Sequence, residues 1–266
     1  MSAGPAHDAA ASLIVERSGS IARLRFNRPR VLNAIDTSMA SAFLDACRAI
    51  SADESVRVVT LSGEGRAFMA GGDLALFRSD PLSIPERLIQ PMHEGLILLT
   101  QHPATVIASV HGVAAGAGLS LAAACDLAIA AEGTQFTLAY SSVGVSSDMG
   151  ASWSLPRILG LRRALQMALA GETVGAEEAL RLGLVNYVVP LSDLGNETDE
   201  LAARIAAAPP LALGAMKRLM RDSRGRDLAL QLDAERDSFR RCCGSEDFKE
   251  AVSAFFEKRR GSYQGR

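Results

Sequence analysis

Apolar residues along this chain recur in two rhythms. Short continuous runs such as VRVVTLSG, TVIASV and LAIAA read as strands buried on both faces. Between them, apolar positions return at helical spacing. TSMASAFLDACRAI puts Met39, Phe43, Ala46 and Ile50 on one face, with Thr37 or Ser38 as the N-cap. IPERLIQPMHEGLILLTQ is helical too, with Pro91 placed to disturb it. LIVERSGSIARLRF reads as a hairpin turning at Ser18-Gly19-Ser20. GASWSLPRILG, LRRALQMALAG and GAEEALRLG read as consecutive short helices, and LVNYVV as a strand.

Strands and helices alternate up to about residue 190, and helices alone follow, broken at Pro209-Pro210. The pattern predicts an α/β core with a helical C-terminal appendage. The expected division is a disordered lead over 1–11, a core over 12–195 and a helical C-terminal region over 196–266.

Composition narrows the classes. A chain of 266 residues with 48% hydrophobic and 22% charged residues can bury a sizeable core. A formal net charge of −2 offers no overall field for nucleic acid or an anionic membrane, so an anionic ligand needs local positive groups. Cys47, Cys125, Cys242 and Cys243 fit no zinc spacing and no secreted disulfide framework. MSAGPAHDAAAS lacks the basic and apolar regions of a signal peptide. No uncharged apolar run of about 18 residues occurs. The expectation is a cytoplasmic protein without metal, nucleic-acid or membrane partner.

Two glycine-rich turns each follow a strand: FMAGGDL after VRVVTLSG, and GVAAGAG after TVIASV. Glycine lets a backbone approach a ligand closely. A helix starting near Ala117 would point unbonded N–H groups at that ligand. Two such turns facing each other could give one carbonyl oxygen two donors, which is an oxyanion hole. Neither turn has the spacing of a dinucleotide or phosphate loop, and no G-x-S-x-G elbow supports a serine hydrolase.

NRPRVLNAID, GRAFMAGGDL, VIASVHGVAAGAGLSLAAACDLAIAAEGTQF, LPRILG, EEALRLGLVNYVV and DFKEAVSAFFEKR occur in an order and spacing that resemble the crotonase, or enoyl-CoA hydratase/isomerase, superfamily over nearly the whole chain. The resemblance implies a spiral of ββα turns with a C-terminal helical trimerisation region, assembled as a homotrimer or dimer of trimers. It implies an acyl-CoA thioester substrate and no permanently bound cofactor, coenzyme A arriving as part of the substrate. It also implies that the thioester oxygen sits between the N–H groups of Ala70 and Ala117.

Departures from that family pattern sharpen the expectation. Ser120 and Tyr140 stand where enoyl-CoA hydratases carry their two glutamates. Asp148 matches the catalytic acid of family isomerases, and SSDMGASWSLPRILG is most similar to the 1,2-epoxyphenylacetyl-CoA isomerases. One carboxylate suffices to move a proton from C2 of a 3-enoyl-CoA to C4. The plain alternative is that Asp148 caps the helix MGASWSLPRIL. Other readings are a weak hydratase, an aryl-CoA dehalogenase or thioesterase with Asp148 as nucleophile and His93 as partner, and an inactive acyl-CoA-binding subunit.

For coenzyme A, the resemblance suggests Arg28 or Arg30 at the phosphates. It sets the backbone of residues 68–74, with Phe68, Gly71, Gly72, Asp73 and Leu74, against the adenine, and it counts Gly116 among the substrate-binding residues. Lys258 would reach the 3′-phosphate in a neighbouring subunit. Tyr140, Met149, Trp153 and residues 76–90 would shape the acyl pocket. His111 and Asp73 are expected to hold loop backbone, His102 lies in a loop, and His7 lies in the lead.

Overall fold

The computed structural model describes residues 11–266. The expected lead therefore lies outside the described residues except for Ala11, whose carbonyl accepts from Asn27 Nδ2 at 2.9 Å. Strands β1 (Leu13–Ser18) and β2 (Ile21–Phe26) form the expected hairpin, paired from Leu13↔Phe26 to Ser18↔Ile21. Helix α1 (Thr37–Ser51) buries Met39, Phe43, Ala46 and Ile50 as the spacing predicts. Its cap is Asp36, not Thr37 or Ser38: the Asp36 carboxylate accepts from Met39 N at 2.8 Å.

β3 (Val58–Gly63) follows, then the short α2 (Leu74–Ser79). The helical stretch around Pro91 resolves into a π-helical turn over Pro85–Ile89 and α3 (Gln90–Gln101). Proline lacks an N–H and crowds the carbonyl four residues back, so the disturbance falls in the turn before it. β4 (Thr105–Val110) leads into the second glycine turn, which contains an unforeseen strand, β5 (Val113–Ala115). Helix α4 (Ala117–Ala124) starts where expected.

β6 (Leu127–Ala131), β7 (Gln135–Thr137), α5 (Ala151–Leu159), α6 (Leu161–Ala170), β8 (Thr173–Gly175), α7 (Ala176–Arg181) and β9 (Tyr187–Val189) complete the mixed region. β5, β7 and β8 each hold three residues, too few to show an alternation. The large sheet runs β1-β2-β3-β4-β6-β9, parallel from β2 onward, and β5-β7-β8 form a small second sheet.

Helices α8 (Leu194–Ala206), α9 (Pro210–Asp222), α10 (Leu228–Cys243) and α11 (Glu246–Glu257) follow. Pro210 opens α9, where a missing N–H costs nothing. A division at residue 195 cuts through α8. That helix is core: Leu194, Leu201 and Ala202 pack with Ile21, Val58, Ile107 and Ile129 of the sheet.

β3 and β4 are parallel neighbours, so the two glycine turns leave the same edge of the sheet. They are packed backbone to backbone. A Cβ on Gly118 would lie 2.2 Å from the Met69 carbonyl oxygen, and Gly71 sits at φ +99° with its neighbouring space filled by Ala115 and Gly116. Gly118→Ala is therefore expected to lose about 1–3 kcal/mol of stability, read by urea denaturation, because backbone on both sides must move.

Candidate active site

Residues 68–73 run between two flanking segments, and the hydrogen bonds show which N–H groups are engaged. Phe68 N donates to His111 O at 2.9 Å and Met69 N to Val113 O at 3.1 Å. Ala70 N donates to Leu32 O at 3.0 Å, so the expected oxyanion donor is held inside the fold. Ile35 then pairs across Gly72: its N–H reaches Gly71 O at 2.8 Å and its carbonyl accepts from Asp73 N at 2.9 Å. In a parallel ladder the middle residue turns its own N–H away from the strand that brackets it. The Gly72 N–H thus points away from Ile35, toward the side where α4 begins. Among the described residues neither Gly72 N nor Ala117 N has a hydrogen-bond acceptor. The pair is Gly72 with Ala117, rather than Ala70 with Ala117.

Both turns border a cavity of about 410 Å³. Leu74, Phe77, Pro81, Ile84, Pro85 and Ile89 form its apolar wall. Tyr140, Val145, Ser146 and Asp148 face them, with Gly116 at the base.

Asp148 does not cap α5. The helix starts after Gly150 with no side-chain cap, and Asp148 contributes only its carbonyl, 3.1 Å from Ala151 N. Its carboxylate Oδ1 instead accepts the hydroxyl proton of Tyr140. No described residue bonds Oδ2. Burial pushes the Asp148 pKa above the usual carboxylate range, opposed by the Tyr140 hydrogen bond. His93, on α3, accepts from Met149 N through Nε2 at 3.0 Å. That bond engages the Nε2 lone pair of His93. It holds the backbone of Met149, which sits at φ +51° beside Asp148.

Residues 16–266 match the family described as enoyl-CoA hydratase/isomerase. The chain belongs to that family. It is 36% identical over 251 residues to the 1,2-epoxyphenylacetyl-CoA isomerase of Escherichia coli, covering 91% of this chain and 94% of that protein. It is also 36% identical to a probable enoyl-CoA hydratase of Rhodobacter capsulatus, over 94% of this chain and 97% of that one. An enoyl-CoA hydratase crystal structure from Polaromonas sp. JS666 superposes with a TM-score of 0.89 at 34% identity, covering 95% of this chain and 99% of the other. The protein is thus an acyl-CoA enzyme of the enoyl-CoA hydratase/isomerase family, with that family's fold.

Several residues expected at the ligand lie elsewhere. Phe68 is fully buried, edge-on to Phe26 at 5.8 Å between centroids. Met149 is buried in the core. Trp153 is 48% exposed outside this cavity, with the Arg157 guanidinium 4.2 Å over its ring. Arg28 is engaged within the fold: it pairs with Asp73 at 3.0 Å and Asp36 at 3.2 Å. Asp73 in turn caps α2 by accepting from Ala75 N at 3.0 Å, so both residues shape the turn. Arg30 and Lys258 are exposed. His111 Nε2 meets Gly65 O at 2.9 Å and fixes loop backbone as expected.

Sequence reasoning named Gly72 only as a residue against the adenine, and it missed Asn33. Asn33 is buried at φ +57°, and its amide reaches Glu64 O at 2.9 Å and Ala67 O at 2.8 Å. An asparagine amid turn residues was the available signal.

The raised Asp148 pKa carries a stability consequence. Folding favours the protonated form, so the stabilisation is present below the unfolded pKa and is lost as pH rises through the folded one. Asp148→Asn removes this dependence. The melting temperature of the variant minus that of wild type is expected to be larger near neutral pH than in mild acid.

Proposed function

We propose that this enzyme shifts the double bond of an enoyl-CoA thioester, with Asp148 moving one proton between carbons. The observation that carries the reading is that Asp148 is the sole charged side chain lining the cavity among the described residues. With one carboxylate, the same group must both take and return the proton.

The Asp148 carboxylate removes a proton from C2 of a 3-enoyl-CoA. The electron pair spreads into a dienolate, and negative charge settles on the thioester oxygen. The N–H groups of Gly72 and Ala117 hold that charge, and donors so placed are each worth about 3–4 kcal/mol. Asp148 then protonates C4, which leaves the 2-enoyl-CoA and a bare carboxylate. A carboxylate with a raised pKa is the stronger base for this work. The apolar wall formed by Phe77, Ile84 and Ile89 suits an acyl chain and excludes water.

Hydration needs a second group to activate water. The hydroxyls of Ser120 and Tyr140 supply no carboxylate for it. Nucleophilic attack by Asp148 with His93 as partner is disfavoured by the bond from Met149 N to Nε2. The proposal includes a cytoplasmic enzyme that takes coenzyme A only with its substrate and works as a homotrimer or dimer of trimers. Phe239, Phe255 and Phe256 on α10 and α11 are exposed, an apolar surface suited to subunit contacts. Among the described residues no helix is long and apolar enough to cross a membrane.

The test is proton exchange in D₂O. Wild type is expected to isomerise 3-hexenoyl-CoA and place deuterium at C2 and C4, with little hydration of crotonyl-CoA. Asp148→Asn should bind the thioester and lose isomerisation by about 10²–10⁴-fold. A fully active variant would overturn the assignment. A mass adduct on Asp148 would instead support the nucleophile reading.

A further inference from the structure

Behind the carboxylate runs a chain of hydroxyls that the proton-transfer steps above do not use. Tyr140 donates its proton to Asp148 Oδ1, and Ser120 Oγ lies 2.8 Å from Tyr140 Oη. Ser120 is fully buried on α4, and its Oγ donates to the carbonyl of Gly116, next to Ala117, at 2.9 Å. Each hydroxyl has a single proton. Because the tyrosine proton goes to the carboxylate, the contact between Ser120 and Tyr140 is a hydrogen bond only when Ser120 donates. Gly116 O does not depend on that proton, since Ser120 N already donates to it at 3.0 Å. The Tyr140 proton therefore points toward Asp148, and Ser120 shares its single proton between Gly116 O and Tyr140 Oη.

The geometry points to Tyr140, oriented by Ser120, as the positioning residue that pins Asp148 Oδ1 and leaves Oδ2 as the atom that takes and returns the substrate proton. This rests on the acid/base reading of Asp148. Oδ1 remains an acceptor whether or not Oδ2 carries a proton, so Tyr140 keeps its place through turnover. The bond is strongest when the carboxylate is charged, so it favours the base form that burial disfavours. Returning the proton from the same oxygen keeps removal and delivery on one face of the dienolate.

The titratable groups facing Asp148 are Tyr140 from the preceding loop and His93 from α3. His93 Nε2 is occupied by Met149 N–H. Burial first, and then the Asp148 charge, drive the Tyr140 pKa far upward, so the phenol stays a donor. The opposite wall, from α2 to the π-helical turn, is apolar. Beside the charge of His93 and the backbone N–H of Asp148, Tyr140 is the side-chain hydroxyl that tunes this carboxylate.

The experiment compares wild type, Tyr140→Phe, Ser120→Ala and Asp148→Asn on 3-hexenoyl-CoA over a pH series. The base form is active, so activity falls as pH drops through the Asp148 pKa. Removing the donor raises that pKa. Tyr140→Phe is expected to lower kcat about 10–100-fold, change KM by less than about threefold, and move the acid limb up by about one pH unit. Ser120→Ala should move the limb the same way by less. An unshifted limb and unchanged kcat in Tyr140→Phe, with Asp148→Asn inactive, would overturn the positioning role and leave the isomerase reading standing. An active Asp148→Asn would remove both. Should Tyr140→Phe fail to fold, Ser120→Ala decides, because it keeps the phenol: an unshifted limb there overturns the proposal.

Discussion

The site depends on how closely two backbone turns can approach. Residues 66–73 lie between the segment at Leu32–Ile35 and the turn that opens α4, bonded on one side to Leu32 and Ile35 and on the other to His111 and Val113. That double bonding leaves no slack, so the N–H groups without acceptors are held in place before any ligand arrives. Glycine is required where the turns touch. At Gly118 a single methyl group would meet the Met69 carbonyl, which cannot rotate away as a side chain could. Preorganised donors of this kind cost no reorientation when charge develops on a substrate oxygen.

Opposite this rigid floor, the enzyme keeps a carboxylate where the fold would favour a neutral group. Burial raises the Asp148 pKa, while Tyr140 partly restores the charged form. These effects oppose one another at a single part-buried side chain. Around it, His93 Nε2 accepts from Met149 N and Ser120 Oγ lies against the Tyr140 hydroxyl.

The rest of the chain keeps the sheet edge steady beneath the turns. Asp126, just before β6, is clasped by Lys217 at 2.8 Å and Arg221 at 2.6 Å from α9. Lys217 also donates to Ala104 O at 2.7 Å, beside the start of β4. Burial lowers the Lys217 pKa while Asp126 opposes the shift, so this ammonium relies on its partner. Through these bonds a C-terminal helix braces the two strands whose far ends and following turns lead to the site.

The sequence by itself determined the hairpin, the apolar parallel strands, the amphipathic α1 and the two glycine turns, because each is written in local periodicity and turn chemistry. Its motifs also singled out Ala117 and Asp148. It did not reveal that Ala70 is bonded to Leu32, that Gly72 carries the available N–H, or that Arg28 and Phe68 are engaged within the fold. Those facts depend on contacts between segments distant in the chain. The hydroxyl chain from Ser120 through Tyr140 to Asp148 is of the same kind: three polar residues look independent until α4 and the loop before α5 bring them within hydrogen-bonding distance. Periodicity records which face of an element is buried, whereas only tertiary packing assigns each donor its acceptor.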